Sequence, residues 1–128
     1  MQTTLKVAQM LVRITGVLLL ILGLLIWSRD VPPSLIPVHM LLGVLFVLSL
    51  WLLAAVASQA GIPVGMAAGV AVLGLIVLIL GLVQDSLLPG AAHWVIQVLH
   101  LLVGLVAIGS AEMMGGRLRR HRLAVSRL

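Results

Sequence analysis

Of 128 residues, 62% are hydrophobic and only 9% are charged, and the mean hydropathy is +1.31. Eight Lys/Arg and three Asp/Glu cannot coat a water-soluble domain, in which about a quarter of residues are charged, so the bulk of the chain belongs in a lipid bilayer. The absence of cysteine excludes disulfides, thiolate zinc sites, Cys-ligated iron–sulfur clusters and covalently attached haem.

A membrane helix needs roughly 20 apolar residues, and four such runs follow one another. The first covers about Val7 to Trp27. It is longer than the roughly 7–15-residue apolar core of a secretory signal and has no small-x-small motif before Arg29, so a retained span is expected. Arg29-Asp30-Val31-Pro32-Pro33 ends it. The second run, about Ser34 to Ala57, stops at Gln59-Ala60-Gly61-Ile62-Pro63. The third, about Val64 to Val83, gives way to Gln84-Asp85-Ser86 and then Pro89-Gly90. The fourth covers about Ala91 to Met113, and residues 114–128 are expected to form a basic tail. Loops this short hold no folded domain. The expected architecture is all-α, a single four-helix transmembrane bundle.

The formal charge is +5, and Arg117, Arg119, Arg120, Arg122 and Arg127 fall within the last twelve residues. That is a positive-inside signature with secondary attraction to anionic membrane lipid, not a nucleic-acid surface. Lys6 and Arg13 open the first helix, so both termini are expected in the cytoplasm of a bacterial-type inner (plasma) membrane, in a multi-pass arrangement. Arg13 is expected to reach the inner interface by snorkelling, without a buried partner. Trp27 and Trp94 fall at the outer boundary, where interfacial aromatics belong.

An internal repeat singles out two histidines. Gly16 to Leu25 laid over Gly74 to Val83 gives six identities in ten positions, both glycines included. His39-Met-Leu-Leu-Gly43 laid over His100-Leu-Leu-Val-Gly104 aligns His, Leu and Gly, and Ser49 then meets Ser110. The scarce residues carry this alignment; Leu on Leu is cheap in such a chain. It implies a tandem duplication, helices 1–2 repeated as helices 3–4, with a pseudo-two-fold axis along the membrane normal. His39 and His100 then sit at matching depths on helices 2 and 4.

A lone neutral histidine in a span is most simply satisfied by a hydrogen bond to a neighbouring helix, whereas a symmetric pair calls for a ligand that takes two imidazoles. Six-coordinate haem iron is such a ligand. Gly43 and Gly104 lie one turn from each histidine on the same face, allowing a large ring to approach the backbone. Gly16 and Gly23 on helix 1, and Gly74 and Gly81 on helix 3, add two smooth stripes; on their own they would mark close helix packing. His93 shares the His100 face about 10 Å further out. It is most simply interfacial, with a propionate contact, a quinone contact or an axial-ligand role as functional readings. Arg29 is a second candidate counter-charge for a propionate, and His121 reads as a solvated residue. Asp30, Asp85 and Glu112 lie near span ends, which argues against a proton-coupled transporter. An outer metal site from Asp85, His93 and His39 matches no recognised ligand spacing, and no phosphate loop, HExxH or nucleophile–base pair is present.

The two His-x3-Gly segments resemble the haem-binding helices of four-helix membrane b-type cytochromes, the cytochrome b561-like group. That resemblance implies haem b held non-covalently. Members of the group commonly use four histidines for two haems; with three intramembrane candidates, all toward the outside, this chain is expected to bind at most one, with His39 and His100 as axial ligands. The expectation is an electron-transfer protein exchanging with a quinone or a partner protein at the outer face. Two other readings stand beside it. One is a non-catalytic small subunit or assembly partner of a larger membrane complex or homo-oligomer. The other is a small transporter or channel, against which the scarcity of polar residues in the spans speaks.

Overall fold

The computed structural model describes residues 2–29 and 31–126; Asp30, Arg127 and the side chain of Arg122 lie outside what is described. The chain folds into four α-helices: α1 (Gln2–Ser28), α2 (Leu35–Gln59), α3 (Val64–Val83) and α4 (His93–Val125). A short 3₁₀ turn, Gln84–Ser86, follows α3. Each helix is long and apolar enough to cross a membrane, and among the described residues there is no strand. The protein is thus all-helical, with the composition and dimensions of a multi-pass membrane protein.

The loops end the helices where their residues require it. Arg29 takes a left-handed φ of 62° just after α1, and two prolines follow. At the other end, Gly61 adopts φ +90°. The Ile62 amide donates to the Ala57 carbonyl at 3.1 Å, and the Gly61 amide donates to that of Ser58 at 3.4 Å. This is a Schellman closure, with glycine at the left-handed position, a buried Ile62 after it, and Pro63 preventing any continuation of the helix.

Consecutive helices pack side by side, and α4 closes the ring against α1. α2 and α4 also touch across the diagonal, whereas α1 and α3 do not among the described residues. Two zones follow along the bundle axis. The half nearer the α2–α3 turn, the arginine end, contains most of the large, fully enclosed side chains: Val12 of α1, Leu50 and Leu53 of α2, Met114 and Leu118 of α4. Small residues at the contacts, such as Ala8, Ala57, Ala107 and Ala111, allow the backbones to approach closely. In the other half, the tryptophan end, the helices stand apart around a cavity. The outward-facing side chains are Leu, Val and Ile along most of each helix, as a lipid environment requires.

Helix ends differ from expectation in two places. α1 begins at Gln2 instead of about Val7, and α4 continues through Val125, so most of the expected tail is helical. Arg, Leu, Ala and Met are good helix formers, and buried Met114 and Leu118 anchor this extension to the core. Arg13 has an exposed partner that its sequence neighbours do not suggest. It forms a two-point ion pair with Glu112, Nε to Oε1 at 2.5 Å and Nη2 to Oε2 at 2.7 Å, tying the first helix to the last. His121 rests over the α2–α3 turn, its Cε1 3.3 Å from where a Cβ on Gly61 would stand.

Candidate functional site

His39 lies in the second turn of α2, just after Pro37, a residue tolerated because first-turn amides have no intrahelical partner. His100 lies two turns into α4. Across the α2–α4 diagonal the two imidazoles face each other, centroids 6.4 Å apart and planes inclined by 59°. Each ring is seated on a glycine of the preceding helix. A Cβ on Gly23 would stand 3.3 Å from Cε1 of His39, and one on Gly81 would stand 3.0 Å from Cε1 of His100. Nδ1 of both rings is buried without a hydrogen-bond partner. Two orphaned nitrogens at matching positions are costly, about 1–3 kcal/mol each, unless a partner reaches those atoms.

Between the helices lies a cavity of about 420 Å³, within the range of small-molecule and cofactor sites. Both histidines line it, together with Gly16, Gly23, Gly43, Gly81 and Gly104. Gly43 and Gly104 face open space: a Cβ added at either would meet nothing within 4 Å, so any other residue there would occupy the cavity. The walls are Leu19, Leu20, Phe46, Val77, Leu78 and Ile108. Toward the tryptophan end the lining turns polar at Gln84, Asp85 and Gln97.

Seven of the ten residues singled out in the sequence therefore line one cavity. Gly74 does not. It is buried against Leu50, Trp51 and Val47, where the Trp51 indole Nε1 donates to the Ala71 carbonyl at 3.0 Å, so it is a packing position. His93 is also outside the lining; its Nδ1 donates to the Leu87 carbonyl at 3.2 Å, closing the loop before α4. Arg29 is exposed in the first loop and does not reach the cavity. Asp85, His93 and His39 form no three-ligand cluster, nor does any other His/Cys/Asp/Glu set among the described residues. Sequence reasoning missed the polar rim. Gln97 was legible as the polar residue one turn before His100, but Gln84 and Asp85 read only as helix breakers.

The residues fit a flat, doubly ligated macrocycle. The centroid separation of 6.4 Å leaves room for a thin group between the two rings. Glycines open the floor, the walls are apolar, and the rim is polar. No protein-family model, no curated protein and no solved structure matches this chain.

Proposed function

We propose that this protein is a membrane b-type cytochrome that holds one haem b between α2 and α4, with His39 and His100 as axial ligands. The observation that carries this is the facing histidine pair, 6.4 Å apart, inside a cavity floored by Gly43 and Gly104. Haem held there by His39 and His100 would supply a one-electron couple suited to electron transfer. The chain's own residues do the rest. Gly23 and Gly81 fix the two rings in place, and the apolar walls exclude water and so help set the redox potential. The amides of Gln84 and Gln97 offer hydrogen-bond donors at the rim. The electron partner, a quinone or a protein, docks at the tryptophan end.

The bundle is also proposed to be a tandem duplication. Two sets of corresponding contacts support it: Gly23 with His39 matches Gly81 with His100, and Gly16 with Ile108 matches Gly74 with Val47. The pseudo-two-fold axis then runs along the membrane normal. In a bacterial-type plasma membrane, both termini and the arginine end face the cytoplasm, following the Lys/Arg bias.

The test is an absorption spectrum of the detergent-purified protein, air-oxidised and then dithionite-reduced, with His39→Ala and His100→Ala beside it. A sharp low-spin haem signature, lost or converted to high spin in both variants, is the expected result. A colourless protein after expression with ample haem overturns the assignment, and loss in only one variant overturns the ligand pair.

A further inference from the structure

The arginine end contains a second arrangement that the haem site does not use. On α4, the guanidinium groups of Arg119 and Arg120 fold back over Gly116. Nη1 and Nη2 of Arg120 lie 3.9 and 4.0 Å from where a Cβ of Gly116 would stand, and Nη2 of Arg119 lies at 4.0 Å. Glycine leaves the room into which both converge. One turn toward the membrane centre is Glu112, but both of its oxygens are taken by Arg13 of α1. That is the only ion pair among the described residues. Arg119 and Arg120 thus bring two guanidinium groups to the same side of Gly116, and the neighbouring carboxylate, Glu112, is already paired with Arg13. Like charges so close repel unless an anion lies between them.

Depth narrows the identity of the anion. At 1.5 Å per residue, Gly116 lies about 33 Å along α4 from Trp94, against a hydrocarbon thickness of about 30 Å, which places it at headgroup level. From Gly116 toward the membrane centre, the same outward face of α4 presents Met113, Gly109, Val106 and Leu102, all exposed. A Cβ on Gly109 would meet nothing within 4 Å, so the face is shallow there. Phosphate-binding chemistry at one end of an apolar bed matches a phospholipid, headgroup above and acyl chain below. A free phosphate would have no use for the bed.

We propose that Arg119 and Arg120, converging over Gly116 beside the Arg13–Glu112 pair, hold the phosphate of an anionic phospholipid whose acyl chain lies along the outer face of α4. Clustered basic residues near the membrane surface attract such headgroups, and guanidinium forks suit phosphate oxygens. The site depends on the chain spanning a bilayer, and not on the haem.

The full chain, reconstituted with equimolar phosphatidylcholine and phosphatidylglycerol, is extracted in mild detergent and its retained lipid is counted by native mass spectrometry. Phosphatidylglycerol enrichment of roughly tenfold or more is expected, from the attraction of each basic residue. The double variant Arg119→Gln/Arg120→Gln should lose it. Arg117→Gln, which removes the same kind of charge from the same helix, should retain it. The charge-conserving Arg119→Lys/Arg120→Lys should lose most of it, because a fork is needed and not merely a charge. Equal retention of both lipids by the wild type overturns the proposal. So does an Arg117→Gln loss equal to that of the double variant, or full retention by the lysine pair, either of which would mean diffuse attraction. Displacement of the retained lipid by millimolar inorganic phosphate would mean a free-phosphate site and overturns it as well.

Discussion

Two glycines of similar sequence context do different work, and the difference is measurable. Gly81 seats the His100 ring, and an added Cβ would stand 3.0 Å from it. Gly81→Ala should therefore displace a proposed axial ligand while barely touching the helix contacts, lowering haem occupancy in the reduced spectrum with little change in thermal midpoint. Gly74→Ala should do the reverse. Its Cβ would stand 3.1 Å from Leu50 and 3.3 Å from the Trp51 nitrogen, an overpacking cost of about 1–3 kcal/mol, with the spectrum intact. A spectrum lost in Gly74→Ala, or kept in full in Gly81→Ala, would contradict this division. The scarcity of His in an aliphatic chain made the histidine pair legible in the sequence, and the repeat drew the five cavity glycines with it. Periodicity put Gly74 on the same stripe, but a repeat gives a face and not the neighbour that fills it. His93 lies outside the cavity lining: spacing gave its helix face, and the carbonyl of Leu87 in an irregular loop engages its ring.

At the scale of elements, the first and last helices are joined by Arg13 and Glu112 close to the hydrocarbon boundary. Both side chains are substantially exposed, 51% and 39%, so the pair is expected to contribute no more than about 1 kcal/mol. Glu112→Gln should lower the thermal midpoint in detergent by an amount corresponding to up to about 1 kcal/mol. Arg13→Gln/Glu112→Gln should cost no more than the single variant. Equal midpoints for the single variant and the wild type would show that the pair contributes nothing. Snorkelling was the sequence expectation for Arg13; its partner is 99 positions away in the chain, beyond the reach of any local pattern. The α2–α3 turn was far more readable, since Gly61 and Pro63 carry its closure in four consecutive residues. The end of α4 was not, because apolar patterning marks where a bilayer stops and says nothing about where a helix of Arg, Leu and Ala stops.

For the molecule as a whole, hydropathy and loop residues were enough to place four spans, but not the ring order or the diagonal contact between α2 and α4, which depend on how side chains interlock. Orientation is open to a direct test because the chain has no cysteine to interfere. Ser34→Cys and Ser126→Cys, both at exposed positions at opposite ends of the bundle, can be probed one at a time in intact spheroplasts with a membrane-impermeant maleimide. Labelling of Ser34→Cys alone is expected, and labelling of Ser126→Cys alone would invert the proposed topology.

The division between a filled arginine half and an open tryptophan half also bears on which substitutions the bundle can absorb. Leu50, Leu53, Met114 and Leu118 close one end of the bundle with side chains drawn from the second and fourth helices, so contacts at that end can hold the helices in register without help from the cavity end. A substitution that reshapes the cavity lining therefore leaves in place the contacts that assemble the bundle.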